Sequence, residues 1–211
     1  TIHVIKALLF GRGLGTSFPL EGGGFIKTNP NLDAPDIQCN FVPALVPKAY
    51  LPFSKPAFGY KHGFYNGVHQ TQPESRGFIK LRSSDPMAQP LIFANYLATA
   101  NDRLTMRNGV KLMRQVFNEE PIAALIKSEL QPGPDVISDQ QLDAWISQVG
   151  DTVYHPVGTC KMGIDEMAVV DPNLKIYGLE NIRVADASIM PIINGSNTNA
   201  PTIMIGEKCS Q

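Results

Sequence analysis

The sequence predicts an α+β fold, an antiparallel sheet with a run of helices after it. Three observations carry this. Short stretches alternate apolar and polar residues, as a strand with one buried face does: residues 37–42, IQCNFV, put Ile37, Cys39 and Phe41 on one face and Gln38 and Asn40 on the other. Helical apolar periodicity is gathered in residues 101–150 instead of being interleaved with strands. No βαβα alternation follows, so a parallel doubly wound sheet is not expected within 1–150.

In chain order, residues 1–10 (TIHVIKALLF) form a short helical or extended start with apolar residues at 2, 5, 8 and 9. They lack the long apolar core and small-residue cleavage site of a signal peptide. Gly11, Gly13 and Gly15 invite comparison with a nucleotide-binding loop. The third glycine comes one position early and no βαβ unit follows, so a surface loop is expected. A turn is expected at 22–24, then a strand at 25–27. The proline- and aromatic-rich segment 43–65 reads as a loop. Its Phe53, Phe58, Tyr60, Phe64 and Tyr65 either form a substrate mouth or pack among themselves. Strands are expected at 67–71, 77–82 and 90–93, with a turn at 83–86.

Three helices follow. Thr99 or Asn101 caps the first, whose Met106, Val110, Met113 and Phe117 share a face, with Leu112 and Val116 beside them. Pro121 opens a second over 121–130. Ser138 and Gln141 make a capping box for the third, with Leu142, Trp145, Ile146 and Val149 on its apolar face and Gly150 at its end. Trp145 is expected to anchor that helix in the core.

Composition narrows the function classes. The chain has 211 residues, 43% hydrophobic and 18% charged, enough to bury a core. A net charge of −1 without a basic block gives no reason to expect nucleic acid or an anionic membrane. No apolar run is long enough to span a bilayer. Cys39, Cys160 and Cys209 show no metal-ligand spacing, and with three cysteines a disulfide framework is not expected. A cytoplasmic, reducing compartment is expected, peripheral at most to an inner membrane.

The chemistry concentrates in 151–211. His155 precedes a proline, which biases its backbone toward extended geometry. A histidine there can move a proton near neutral pH, or simply bond a backbone carbonyl. His3, His62 and His69 are weaker candidates. Residues 171–173 form a turn. Residues 182–186, IRVAD, read as a strand ending in Asp186, followed by the small Ala187 and Ser188. Such an aspartate can accept from a ribose or ribityl hydroxyl, or cap a turn. Asn199, Ala200, Pro201 and Thr202 open a last helix, with Asn199 as N-cap. Its free N–H groups suit a partial negative charge. Ile203, Met204 and Ile205 then mark that helix as buried.

Together, YHPVGTCKMG, VVDPNLKIYGLENIRVADASIMP and NTNAPTIMIGEK resemble the C-terminal signature of the glucose–methanol–choline flavin oxidoreductases. The match over 151–208 is highly specific. The run RGFIKLRSSDPMAQPLIFANYLAT and the helices after it resemble the family's substrate domain less specifically. Among members, the chain is most similar to choline-dehydrogenase-like alcohol dehydrogenases. Val157-Gly158-Thr159 departs from the cysteine- and serine-richer run of true choline dehydrogenases, which points away from choline itself.

The resemblance implies FAD as cofactor and a primary alcohol as substrate, oxidised to an aldehyde by hydride transfer to flavin N5. It implies His155 as base and Asn199 as the second catalytic position, orienting the hydroxyl. It implies cofactor contacts from Tyr154, Asp186, Ala187, Asn199, Pro201 and Thr202. Residues 1–150 would be a portion of the substrate domain. Residues 151–211 would carry the catalytic pair and complete, with a strand and a helix, an α/β FAD-binding domain lying N-terminal to the chain. The chain would then be a piece of a longer or split enzyme, with little affinity for FAD alone. Two other readings stay open: a flavin-containing hydroxynitrile lyase, and a non-catalytic interaction module.

Overall fold

The structure, a computed structural model, describes residues 2–13, 16, 22–45 and 62–211. The fold is α+β. After helix α1 (Ile2–Phe10) come strands β1 (Gly22–Ile26), β2 (Ile37–Val42) and β3 (Tyr65–Gln70). They form one antiparallel sheet in the order β1-β2-β3, with Gln38 opposite Phe25 on one side and His69 on the other. Strands β4 (Phe78–Lys80) and β5 (Leu91–Phe93) make a separate antiparallel pair. Helices α2 (Ala100–Phe117), α3 (Asp139–Val149) and α4 (Asn199–Ser210) complete the regular elements.

The sheet has two unlike faces, because side chains alternate along each strand. Ile37, Cys39, Phe41 and Val68 share the face that meets α2. Gly109 of α2 makes this contact possible: a Cβ there would lie 2.8 Å from Val68 Cγ1 and 3.0 Å from Ile37 Cδ1. Phe64 stacks between Phe41 and Phe117, at 5.0 Å from each ring, so it belongs to this packing and not to a substrate mouth. Phe53, Phe58 and Tyr60 lie outside the described residues, as does Gly15. The opposite face carries Phe25, Gln38, Asn40, Tyr65, Gly67 and His69.

Asp102, in the first turn of α2, locks the helix to the preceding loop. It is buried and accepts from Glu74 N–H and Ser75 N–H, each at 2.8 Å, from the Ser75 hydroxyl, and from Gln70 Nε2 at 2.9 Å. Burial works to raise its pKa. The hydrogen bonds from Ser75, Glu74 and Gln70 outweigh burial and hold the carboxyl below the usual range. Thr99 caps α2, and Ser138 with Gln141 forms the expected capping box of α3. Val110, Leu142 and Ile146 make the core between these helices, with Met106 and Trp145 partly buried against it. Arg107 joins Asp139 and Asp143, and Lys111 joins Asp139.

Several expectations need correction. The glycines at 22–24 are inside β1 and not a turn. The expected helix at 121–130 is only a 3₁₀ turn at Ala123–Leu125. Its apolar residues Ile122, Leu125, Ile126 and Leu130 have helical spacing, but Leu125 and Leu130 stay exposed, and a short helix without burial is marginal. Leu125 is exposed, while Arg114 of α2 grips Glu129 with two bonds of 2.9 Å. Val149 is exposed, so Leu142 and Ile146 are the fully buried anchors of α3 and Trp145 only supports them.

The C-terminal stretch is held by irregular pairing. The strand expected at 182–186 does not form a ladder. Lys175 bridges Arg183, and Val184 N–H bonds Leu174 O at 3.1 Å. Ile176 N–H also bonds Ile182 O at 3.3 Å, but these scattered bonds do not extend into a strand. Val170, Ile189, Met190 and Ile205 form a second core that seats α4. Thr198, not Asn199, is the N-cap of α4, and Asn199 is its first helical residue. Nor is α4 buried all round. Ile205 is buried, but Ile203 and Met204 are 60% and 52% exposed.

Candidate active site

The site forms where the start of α4 meets the polar face of the sheet. The His155 loop is fixed by backbone bonds from Cys160 to Ser188 O, 3.0 Å, and from Met162 to Ile189 O, 2.8 Å. Gly158 permits this approach. Its φ is +85°, and a Cβ would lie 3.2 Å from Met190 O. Tyr154, just before His155, has φ +63°, a left-handed conformation uncommon for a large residue, and is exposed. The Thr152 hydroxyl accepts from its N–H at 3.0 Å, which helps to hold that turn.

His155 is half-buried and engaged at both ring nitrogens. Nδ1 lies 2.9 Å from Thr198 Oγ1, and Nε2 lies 2.9 Å from Asn197 Nδ2. Asn197 Oδ1 accepts from Gln38 Nε2 at 3.3 Å, across 159 positions of sequence. Gln38 Nε2 is also 3.5 Å from Asn40 Oδ1. His69 stands directly opposite Gln38 on β3. Burial first, and His155 second, lower the pKa of His69 below the ordinary histidine value. A Cβ at Gly67 would lie 2.7 Å from His69 Nε2, so that glycine makes room for the ring.

The amide beside His155 is therefore Asn197, two residues before the one expected. No hydrogen bond joins Asn199 to His155 among the described residues. Asn199 is the first residue of α4, whereas Asn197 lies in the loop before it and bonds Gln38 of the sheet. Sequence reasoning missed Gln38 altogether, since a polar residue on an alternating strand reads as solvent-facing.

Asp186 caps a 3₁₀ turn at Ala187–Ile189. Its Oδ1 accepts from Ser188 N–H at 2.8 Å and from Ser188 Oγ at 2.5 Å. Oδ2 has no protein partner among the described residues, and Asp186 is exposed. At α4 the Thr198 side chain does not cap the helix, because it is turned to His155. Among the described residues the N–H groups of Asn199 and Ala200 find no capping side chain at an exposed helix start, and Pro201 has none to offer. An exposed carboxylate oxygen and an uncapped helix start are the acceptor and donor types that a flavin's hydroxyls and its N1–C2=O edge would need.

A cavity of about 640 Å³ lies at the other end of α4, lined by Met162, Leu174, Arg183, Met204 and Lys208, and His155, Asn197 and Gln38 do not line it. No group of three metal-ligating side chains is found among the described residues. Among them, no helix is long and apolar enough to cross a membrane.

The sequence of residues 73–206 matches the C-terminal model of the GMC oxidoreductases, and the chain belongs to that family. It is 44% identical over 200 residues to an alcohol dehydrogenase [acceptor] of Pseudomonas putida, a match covering 95% of this chain and 35% of that protein. It is 41% identical over 205 residues to an oxygen-dependent choline dehydrogenase of Rhizobium rhizogenes, covering 96% and 36%. A structure of Aspergillus oryzae RIB40 formate oxidase, concerned with FAD modification, superposes with a TM-score of 0.75 at 29% identity, covering 85% of this chain and 31% of that one. The chain thus spans about a third of the length of these relatives.

Proposed function

We propose that this chain is the C-terminal, catalytic part of an FAD-dependent oxidoreductase that converts a primary alcohol to an aldehyde. The observation that carries this is the three-way contact of His155 with Thr198 and Asn197 against the polar sheet face. It presents one imidazole nitrogen and one amide N–H to the same point. An alcohol hydroxyl that displaces the Asn197 amide from His155 Nε2 gives its proton to that nitrogen and accepts from the displaced Nδ2 beside it. His155 is the base, and Asn197, which cannot titrate, orients the hydroxyl. The two side chains that hydrogen-bond His155 among the described residues, Asn197 and Thr198, are uncharged, which suits a neutral hydroxyl. The P. putida relative's name supports an alcohol substrate.

The flavin, when bound, accepts the hydride from the alcohol carbon. The residues that would hold it are Asp186 through Oδ2, Ala187 after it, the α4 start at Asn199 and Ala200, with Pro201 and Thr202 shaping that turn, and Tyr154 on its exposed loop. Residues 1–150 supply the substrate-facing sheet, and residues 151–211 supply the catalytic groups. The FAD-binding domain of the whole protein is the partner for this face.

In the whole protein, His155→Ala is expected to lower alcohol oxidation by about 10²–10⁴-fold, the range for loss of a general base. Activity near wild type would refute the assignment. Anaerobic alcohol is expected to bleach the flavin absorbance. Persistence of the oxidised spectrum while substrate is consumed would favour the lyase reading.

A further inference from the structure

We propose that Gln38, on the central strand of the sheet, is a positioning residue that decides which nitrogen of His155 is free to take a proton. The proposal rests on the reading of His155 as the base.

Donor and acceptor types fix the orientation of each group in turn. Gln38 Nε2 is a donor only, and it faces Asn197 Oδ1 at 3.3 Å. That fixes the Asn197 amide with Nδ2 toward His155. Nδ2 is also a donor only, so His155 Nε2 must accept from it at 2.9 Å. A neutral imidazole has one N–H and one lone pair. The proton is therefore on Nδ1, which donates to Thr198 Oγ1 at 2.9 Å.

His155 and Thr198 alone do not make this choice. A hydroxyl donates as readily as it accepts, so Thr198 is compatible with either tautomer. Asn197 alone does not make it either, since its amide can turn over. Turning it over would set two NH₂ groups against each other at Gln38. Gln38 is held in turn by its strand and by Asn40 Oδ1 at 3.5 Å. The sheet thereby keeps the lone pair of His155 on Nε2, held by Asn197 Nδ2 until an alcohol hydroxyl takes that amide's place. Loss of Gln38 lets the site adopt the tautomer with Nε2 protonated, which cannot take the hydroxyl proton.

The test is ¹⁵N NMR of the whole protein labelled at histidine, with the His155 signals identified by their loss in His155→Ala. The wild type is expected to show His155 protonated at Nδ1. In Gln38→Glu the carboxylate only accepts, so Asn197 turns and His155 is expected to move to the Nε2-protonated form. In Gln38→Leu both forms are expected. A wild-type His155 protonated at Nε2, or a tautomer unchanged in both variants, overturns the proposal. The wild-type result does not depend on either Gln38 variant folding. In kinetics, Gln38→Glu is expected to lose about 10²-fold in kcat with little change in KM. Unchanged kcat in that variant, where His155→Ala is inactive, also overturns it. If His155→Ala keeps its activity, the base reading fails, while the tautomer result still stands or falls by its own spectra.

Discussion

At the scale of single residues, the site is a set of uncharged groups around two imidazoles. Asn197 and Asn199 separate cleanly by experiment. Asn197→Ala is expected to lower kcat by about 10²–10³-fold, as loss of an aimed hydrogen-bond donor does, and Asn199→Ala by less than about threefold. Steady-state kinetics of the two variants in the whole protein checks this, and the opposite ranking would restore Asn199 as the partner. His69 gives a pH signature. Its folded pKa is lowered, by burial and by His155, so the unfolded chain holds the proton more readily. Stability from this group is full above the ordinary value of about 6.5 and is lost as pH falls through the lower folded value. The thermal midpoint of wild type is expected to fall over that window more steeply than that of His69→Gln. Equal slopes would show that His69 does not report the pH.

At the scale of elements, local sequence rules work where an element answers only to its own pattern. Strand β2 is legible because six residues alternate cleanly, and α3 because Ser138 and Gln141 cap it reciprocally. The rules fail at 121–130, where helix propensity has no burial to support it and Arg114 claims Glu129. They fail again at 182–186, because a strand is defined by partners that local sequence does not name. Gly109 shows how packing overrides propensity. Gly109→Ala would favour an isolated helix by about 1 kcal/mol. Here it is expected to lower stability by about 1–3 kcal/mol net of that gain, because the methyl meets Val68 and Ile37. Chemical denaturation reads the sign, and a stabilised variant would mean that α2 moves off the sheet without cost.

At the scale of the whole molecule, the chain presents surfaces that its own fold leaves bare. Ile203 and Met204 on α4, Tyr154 beside His155 and Ile192 after Met190 are all exposed apolar side chains. They flank the helix start and the Asp186 turn, where the flavin and its domain are proposed to sit. The isolated 211 residues are therefore expected to bind FAD well below one per chain, measured by flavin absorbance after purification. Stoichiometric yellow protein from this chain alone would show that its own residues suffice.

The sequence by itself determined the α+β class, the sheet strand that faces two ways and the capped helices, because each depends on residue type and spacing within a few positions, and it singled out His155 as the candidate for the chemistry. Only the tertiary structure decided which asparagine meets His155, and that Gln38 reaches it from a strand 159 positions away. Those contacts depend on how α4 and the sheet are brought together, and hydrogen-bond geometry across a fold is not written in any local pattern.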